Sequence, residues 1–296
     1  MNYVITGSIG HISKPLVQQL VAAGNAVSVI TSSSERVASI EALGATALVG
    51  SIEDAAFVTQ SFAGADAVYL MIPPKWDVAD WYPYQQQVAN NYVAAVKAND
   101  VKNVVVLSSI GAHMRQGAGP IDGVAYLEVQ LIEAGVNAVF LRPSYFFYNL
   151  FAQIDLVKNA GIFGSNFGGD EKLVLVDTND IAAVAAEVLL ALPLASGQQI
   201  RYISSDEATT QEIATALGKA IGKEGTPWVV FTDEQAYAGL KQAGLPDTIA
   251  EGYTTLGKAL RSGELQADYW ANRPTTQGSV KLAQFAQAFA AVYQSK

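Results

Sequence analysis

Apolar residues in the first half of the chain fall into short runs rich in β-branched side chains, set apart by longer stretches in which they recur at helical spacing. The runs Tyr3–Thr6, Ala26–Thr31, Ala45–Gly50, Ala67–Ile72, Asn103–Ser108 and Ala138–Arg142 predict strands. The stretches Lys14–Ala23, Glu35–Leu43, Tyr84–Asn99 and Tyr126–Glu133 predict helices between them. This alternation is what parallel strands joined by crossover helices require. Five successive crossovers, each right-handed by default, describe a doubly wound parallel sheet, the α/β Rossmann architecture.

Beyond about Pro143 the pattern loosens. Tyr145–Ala160 reads as helix, Lys172–Val176 as a short strand and Asp180–Leu192 as a strongly apolar helix. Thr209 with Glu212 makes a capping box ahead of Ile213–Ile221, and Trp228–Phe231 is a further short strand. No Pro/Gly/Ser-rich linker, internal repeat or low-complexity tract interrupts the chain. The expected division is a dinucleotide-binding domain over 1–143 and a smaller α/β substrate-binding lobe over 144–296, with room for parts of the lobe to return to the sheet. The cleft between them is the expected ligand site.

Composition narrows the partners. Half of the 296 residues are hydrophobic, enough for a sizeable core. The net charge is −9 and the 18 basic residues form no cluster, which excludes nucleic acid and anionic membrane as natural partners. The absence of cysteine removes disulfide frameworks, zinc-thiolate sites and thiol nucleophiles, and fits a reducing cytoplasm. The N-terminus does not read as a signal peptide, and the apolar stretch Ile181–Ala195, broken by Glu187 and Pro193, is too short to span a bilayer. No His/Asp/Glu spacing resembles a metal site.

The strand Tyr3–Thr6 runs into Gly7-Ser8-Ile9-Gly10-His11-Ile12-Ser13 and then a helix. That order sets bare backbone N–H groups at a helix N-terminus, where partial positive charge favours a pyrophosphate. Gly7 permits the tight turn, Gly10 lets backbone approach phosphate, and Ser13 is small enough for helix–strand packing. An acid at the end of the second strand would hold a ribose 2′-hydroxyl, as NAD requires. Here that stretch is Thr31-Ser32-Ser33-Ser34-Glu35-Arg36, whose hydroxyls and guanidinium suit a 2′-phosphate. NADP(H) is therefore expected ahead of NAD(H), the alternative being that the serines only form a loop and cap the next helix.

Further stretches extend the pattern along the chain. They are Asp66-Ala67-Val68-Tyr69-Leu70-Met71-Ile72-Pro73-Pro74, Val106-Leu107-Ser108-Ser109-Ile110-Gly111-Ala112, Glu128 followed by Gly135, Leu141-Arg142-Pro143 with Phe146 and Asn149, and Val176-Asp177-Thr178-Asn179-Asp180-Ile181-Ala182. In order and spacing, together with Thr6–Ile12, they resemble the NmrA-like group of atypical short-chain dehydrogenases/reductases, nearly over the full length. The resemblance implies NADP(H) bound across the strand ends, with Gly7–Ile12 on the pyrophosphate and Met71, Ile72 and Pro73 beside the cofactor. It also implies Ser108, Ser109, Pro143 and Tyr145 near the nicotinamide, and either a reductase of quinones and other apolar substrates or a regulator that senses the nicotinamide pool.

Reduction of a simple carbonyl calls for a Tyr with a Lys four residues later on the helix between the fifth and sixth strands. If Glu128 is aligned with the family's Glu, Val124 stands at the Lys position and Pro120 near the Tyr position, so the pair is missing. Tyr126, followed by Gln130, remains a weak candidate donor or a substrate contact. His113, just past the fifth strand, is a second weak candidate, and His11 sits inside the phosphate turn, where its ring can flank the cofactor. Tyr237-x-x-x-Lys241 has the spacing but lies in the C-terminal lobe, away from the expected nicotinamide. Trp76, Trp81, Tyr82 and Tyr84, and Tyr145–Tyr148 with Asn149 as a polar handle, predict an aromatic-lined cleft in which Trp76, Tyr126, Phe146 and Asn149 touch substrate. The leading expectation is an NADPH-dependent reductase of a quinone-like or other apolar aromatic molecule. The rival is a non-enzymatic NADP(H) sensor acting through a protein partner, with a sugar-nucleotide epimerase placed last.

Overall fold

Seven parallel strands form the central sheet of the computed structural model, which describes residues 1–295. Six of them, in chain order, are β1 (Asn2–Ile5), β2 (Ala26–Thr31), β3 (Thr46–Val49), β4 (Ala67–Leu70), β5 (Val104–Leu107) and β6 (Ala138–Pro143), and the seventh comes from further along the chain. The lobe beyond contributes β7 (Tyr145–Phe146), β8 (Phe163–Ser165), β9 (Lys172–Val176), β10 (Gln198–Ile203), β11 (Asp206–Thr209) and β12 (Trp228–Val230). The order across the large sheet is β10-β6-β5-β4-β1-β2-β3. The chain winds outward from β1 to β3, then returns to lay β4 on the other side of β1, which opens a crevice at the strand ends beside β1.

Alternate strand residues feed opposite layers, because successive side chains of a strand point to opposite faces. Tyr3, Ile5, Ala67 and Tyr69 enter one core with α1 (Ser13–Ala22), while α2 (Val37–Glu41) flanks β3. Val4, Val68 and Leu70 enter the other with α3 (Ala55–Ser61), α4 (Trp81–Ala98) and α5 (Asp122–Glu133). A third core joins α6 (Gln153–Ala160), α8 (Thr210–Ala220), α10 (Asp247–Arg261), α11 (Glu264–Ala271) and α12 (Leu282–Ser295) to β8, β9 and β12. The apolar helix α7 (Thr178–Leu190) packs on α1, and β10 pairs with β6, so 178–203 lies in the sheet layers although it follows residue 143. Helix α9 (Asp233–Gln242) packs on α10.

Two expected elements differ. Tyr145 and Phe146 pair with Leu175 and Val176 in β9, and Phe147–Ala152 is a 3₁₀ turn, so only Gln153–Ala160 of the expected helix is α-helical. Strand pairing satisfies the backbone there, and the aromatic run carries no helical period to oppose it. Likewise Ser34–Arg36 is a 3₁₀ turn ahead of a short α2. The capping box forms: Thr209 Oγ1 accepts from Glu212 N at 3.2 Å, and Glu212 Oε2 accepts from Thr209 N at 2.7 Å.

A buried ionic network joins sheet and lobe. Glu128 on α5 receives Arg142 Nη2 at 2.6 Å and Arg142 Nε at 3.0 Å, and Arg142 Nη1 reaches Asp268 on α11 at 3.0 Å. Both members of the inner pair have side chains about one-twentieth exposed, at 6% and 5%. Removing one partner of such a pair leaves a desolvated charge, which costs about 3–5 kcal/mol. We expect Arg142→Met to lower unfolding stability by about that amount in a denaturant titration, and Glu128→Gln combined with Arg142→Met to recover part of the loss.

Carboxylates hold the lobe in a pH-dependent way. Burial alone would push the Asp180 carboxyl up, but hydrogen bonds from Ser205, Ser279 and Val280 outweigh it and hold it below the usual range. Hydrogen bonds from Arg261 and Asn166, with the Arg261 charge, hold Asp233 at about 2. A folded-state pKa below the unfolded one stabilises above the unfolded value, about 4, and that stability is lost as pH falls through the folded value. Melting temperature should therefore drop between about pH 4 and pH 2, and Asp233→Asn should flatten that drop.

Candidate active site

The turn after β1 is held from below and open above. Thr6 is buried, and its Oγ1 accepts from Met71 N at 2.8 Å. Gly7 has φ +85°, and a Cβ there would lie 2.2 Å from Met71 Sδ, so both backbone and space demand glycine. A Cβ on Gly10 would meet nothing within 4 Å. The backbone N–H groups of Ile9, Gly10, His11, Ile12 and Ser13 donate to no acceptor among the described residues, and α1 has no side-chain cap. Adjacent orphan donors at a helix N-terminus form an anion cradle. A pyrophosphate fits it, and the open face at Gly10 leaves room for close approach.

Ser8 and Thr31, expected as cofactor contacts, are committed elsewhere. Ser8 N donates to Ile30 O at 3.0 Å and Ser8 Oγ to Thr31 Oγ1 at 3.2 Å, which pins the turn to β2. Thr31 is 2% exposed, so its hydroxyl is a structural brace and not a phosphate ligand. Past β2, Ser32, Ser34, Glu35 and Arg36 are exposed and Ser33 is half-buried. Arg36 makes no ion pair among the described residues, leaving its guanidinium available to a 2′-phosphate.

On the other side of β1, Met71 covers Gly7 and its carbonyl accepts from Tyr92 OH at 2.9 Å. Ile72 is buried, and Pro73 O accepts from Tyr84 OH at 3.2 Å. Ser108 is buried and its Oγ donates to Glu128 at 2.5 Å, so it supports α5 instead of facing ligand. Ser109 is half-buried. Pro143 is buried, while Tyr145 and Phe146 are half-buried at the end of β6. Tyr148 and Asn149 are exposed, and the Tyr148 ring lies 4.2 Å from that of His11. Trp76, half-exposed, sits against Trp81 and Tyr253 of α10.

Tyr126 is not brought into this cleft. Two residues along a helix turn the side chain by about 200°. Glu128 faces Ser108 and Arg142 over the sheet, so Tyr126 faces away, and its OH donates to Asn90 on α4 at 3.1 Å. It lines a shallow outer concavity of about 350 Å³ with Tyr82, Arg115 and Gln130. The expectation of Tyr126 as proton donor and substrate contact is corrected on that geometry. His113 lies in the 3₁₀ turn after β5 with its Nδ1 enclosed and unpaired. Tyr237 donates to Asp247 at 2.9 Å and Lys241 pairs with the same carboxylate at 2.7 Å. That hydrogen bond raises the Tyr237 pKa, opposite to what an acid catalyst needs.

Tyr253 is a cleft residue that sequence reading missed. Its signal is the apolar spacing Ile249, Tyr253, Leu256 and Leu260, one helical face of α10.

Known proteins share this architecture. The model of the NmrA-like family matches residues 2–256. An NAD(P)H azoreductase from Xenophilus azovorans is 25% identical over 295 residues, covering 98% of each chain. A new type of NADPH-dependent quinone oxidoreductase from Escherichia coli superposes with a TM-score of 0.79 at 22% identity, over 97% of this chain and 98% of that one. Triphenylmethane reductase from Citrobacter gives 0.76 at 19%, over 98% of this chain and 100% of that one.

Gly7 and Gly10 separate folding from binding. Gly10→Ala should leave the melting temperature unchanged, because the added methyl meets nothing, yet weaken NADPH binding about tenfold or more in a fluorescence titration. Gly7→Ala should lower stability by at least the 1–2 kcal/mol typical of a strained left-handed residue, roughly, as well as weakening binding.

Proposed function

The chain belongs to the NmrA-like family, and from that premise we propose that it is an NADPH-dependent reductase of quinone-like or other apolar aromatic molecules. The observation that carries the reading is the run of unbonded amides from Ile9 to Ser13, opening beside an aromatic cleft. The names of its relatives, an NAD(P)H azoreductase and an NADPH-dependent quinone oxidoreductase, support the same chemistry. Reduced nicotinamide, when bound, supplies a hydride, two electrons with one proton.

In this reading the amides of Ile9–Ser13 hold the pyrophosphate, and Ser32 with Arg36 hold the 2′-phosphate. Met71 packs under the turn and fixes its height over the sheet. Trp76, Phe146 and Asn149 border the acceptor space. Helix α5 carries no Lys, so no cation lowers a tyrosine pKa on it. An acceptor whose reduced form spreads negative charge over a conjugated system suits such a site, since proton delivery then matters less. The aromatic side chains suit planar apolar faces.

A decisive test mixes the purified protein with NADPH and a panel of quinones and azo dyes, and follows absorbance of the reduced nicotinamide. Turnover is expected with at least one acceptor; tight NADPH binding without turnover on any of them would turn the assignment to a sensor. Arg36→Ala should lower the preference for NADPH over NADH by about tenfold or more, the loss of one charge-assisted hydrogen bond of roughly 1.5–3 kcal/mol.

A further inference from the structure

Most hydroxyls around the strand ends are spent within the protein. Tyr92 and Tyr84 donate to the carbonyls of Met71 and Pro73, Ser108 to Glu128, Ser144 to Ile203 O, and Tyr202 to Asp268. Tyr145 and Tyr253 are different. Both rings are half-buried, neither hydroxyl has a hydrogen-bond partner, and neither oxygen is sealed from solvent.

The two phenols belong to separate elements, β7 and α10. Tyr145 opens β7, two residues past the C-terminal end of β6. Tyr253 hangs from α10, which roofs the neighbouring strand ends. Thr248 Oγ1 donates to Ala79 O at 2.5 Å in the loop after β4. Gly252 packs on Gly119 in the segment after β5, so closely that a Cβ on Gly119 would lie 2.1 Å from Gly252 O. The Tyr253 ring lies parallel to that of Trp76, centroids 6.1 Å apart, and edge-on to Trp81 at 5.4 Å. Burial pushes both phenols up, Tyr253 to about 12, and the nearness of Tyr253 adds to the rise at Tyr145. Both therefore keep their protons at neutral pH and donate hydrogen bonds without acting as acids.

We propose that Tyr145 and Tyr253 are paired hydrogen-bond donors to the oxygen of a carbonyl acceptor, a quinone, in place of the missing Tyr–Lys pair; the inference rests on the reductase reading above. A quinone that takes a hydride from NADPH becomes a hydroquinone monoanion with its new charge on oxygen, and NADP⁺ is left. A proton from solvent then completes the hydroquinone. Donors preorganised at the charged oxygen stabilise it as an oxyanion hole does. A triarylmethyl cation takes the same hydride at carbon, becomes a neutral triarylmethane and places no charge on oxygen, so it makes no demand on the two phenols.

The test compares 1,4-naphthoquinone with a triarylmethyl cation dye on the wild type, Tyr145→Phe, Tyr253→Phe and the double variant. Each single change should cut kcat/KM for the quinone about tenfold or more, and change that for the dye less than about twofold. Melting temperature should hold, since neither hydroxyl has a partner to lose. Equal losses with both acceptors, or no loss with the quinone, would overturn the proposal. If the wild type binds NADPH but reduces neither acceptor, the reductase reading fails, and naphthoquinone binding followed by tryptophan fluorescence without NADPH decides instead. Weakening of that binding several-fold in the Phe variants supports the donor pair, and an unchanged affinity overturns it.

Discussion

The Arg142 guanidinium is the contact through which sheet and lobe become one body. It sits near the end of β6, clamps Glu128 of α5 with two nitrogens and reaches Asp268 of α11 with a third. Charges so buried are tolerated only when each is paired, so the three elements must arrive together. Glu128 also takes the hydroxyl of Ser108, which ties the end of β5 to the same cluster. The floor of the cleft is thereby fixed by electrostatics as well as by packing.

Around that frame, polar groups divide into those that brace and those left free. Ser8 with Thr31, Thr6 with Met71 and Ser108 with Glu128 close on each other inside the protein. The amides of Ile9–Ser13, the side chain of Arg36 and the hydroxyls of Tyr145 and Tyr253 have no such partners.

Much of this was readable along the chain. The six strands of the first half, the phosphate turn and the capping box at Thr209 depend on local periods and on residues within a few positions of one another. The assignment of Tyr126 and Thr31 failed for a different reason: which way a side chain points, and whether its hydroxyl is already taken, depends on neighbours distant in sequence. Asn90 lies 36 residues from Tyr126, and Ser8 lies 23 from Thr31. Tyr253 escaped notice because only docking of α10 over Trp76, 177 residues earlier by subtraction of their numbers, turns a helix face into a cleft wall.

By itself, then, the sequence determined the Rossmann architecture and the glycine-bearing turn after its first strand, both of them properties of short spacings and residue types. Only the tertiary structure decided that 178–203 completes the sheet layers, that Ser8 and Thr31 brace each other, and that Tyr253 stacks beside Trp76. Those are matters of pairing across long loops, where burial and competition among partners determine whether a polar group supports the fold or remains available for a ligand.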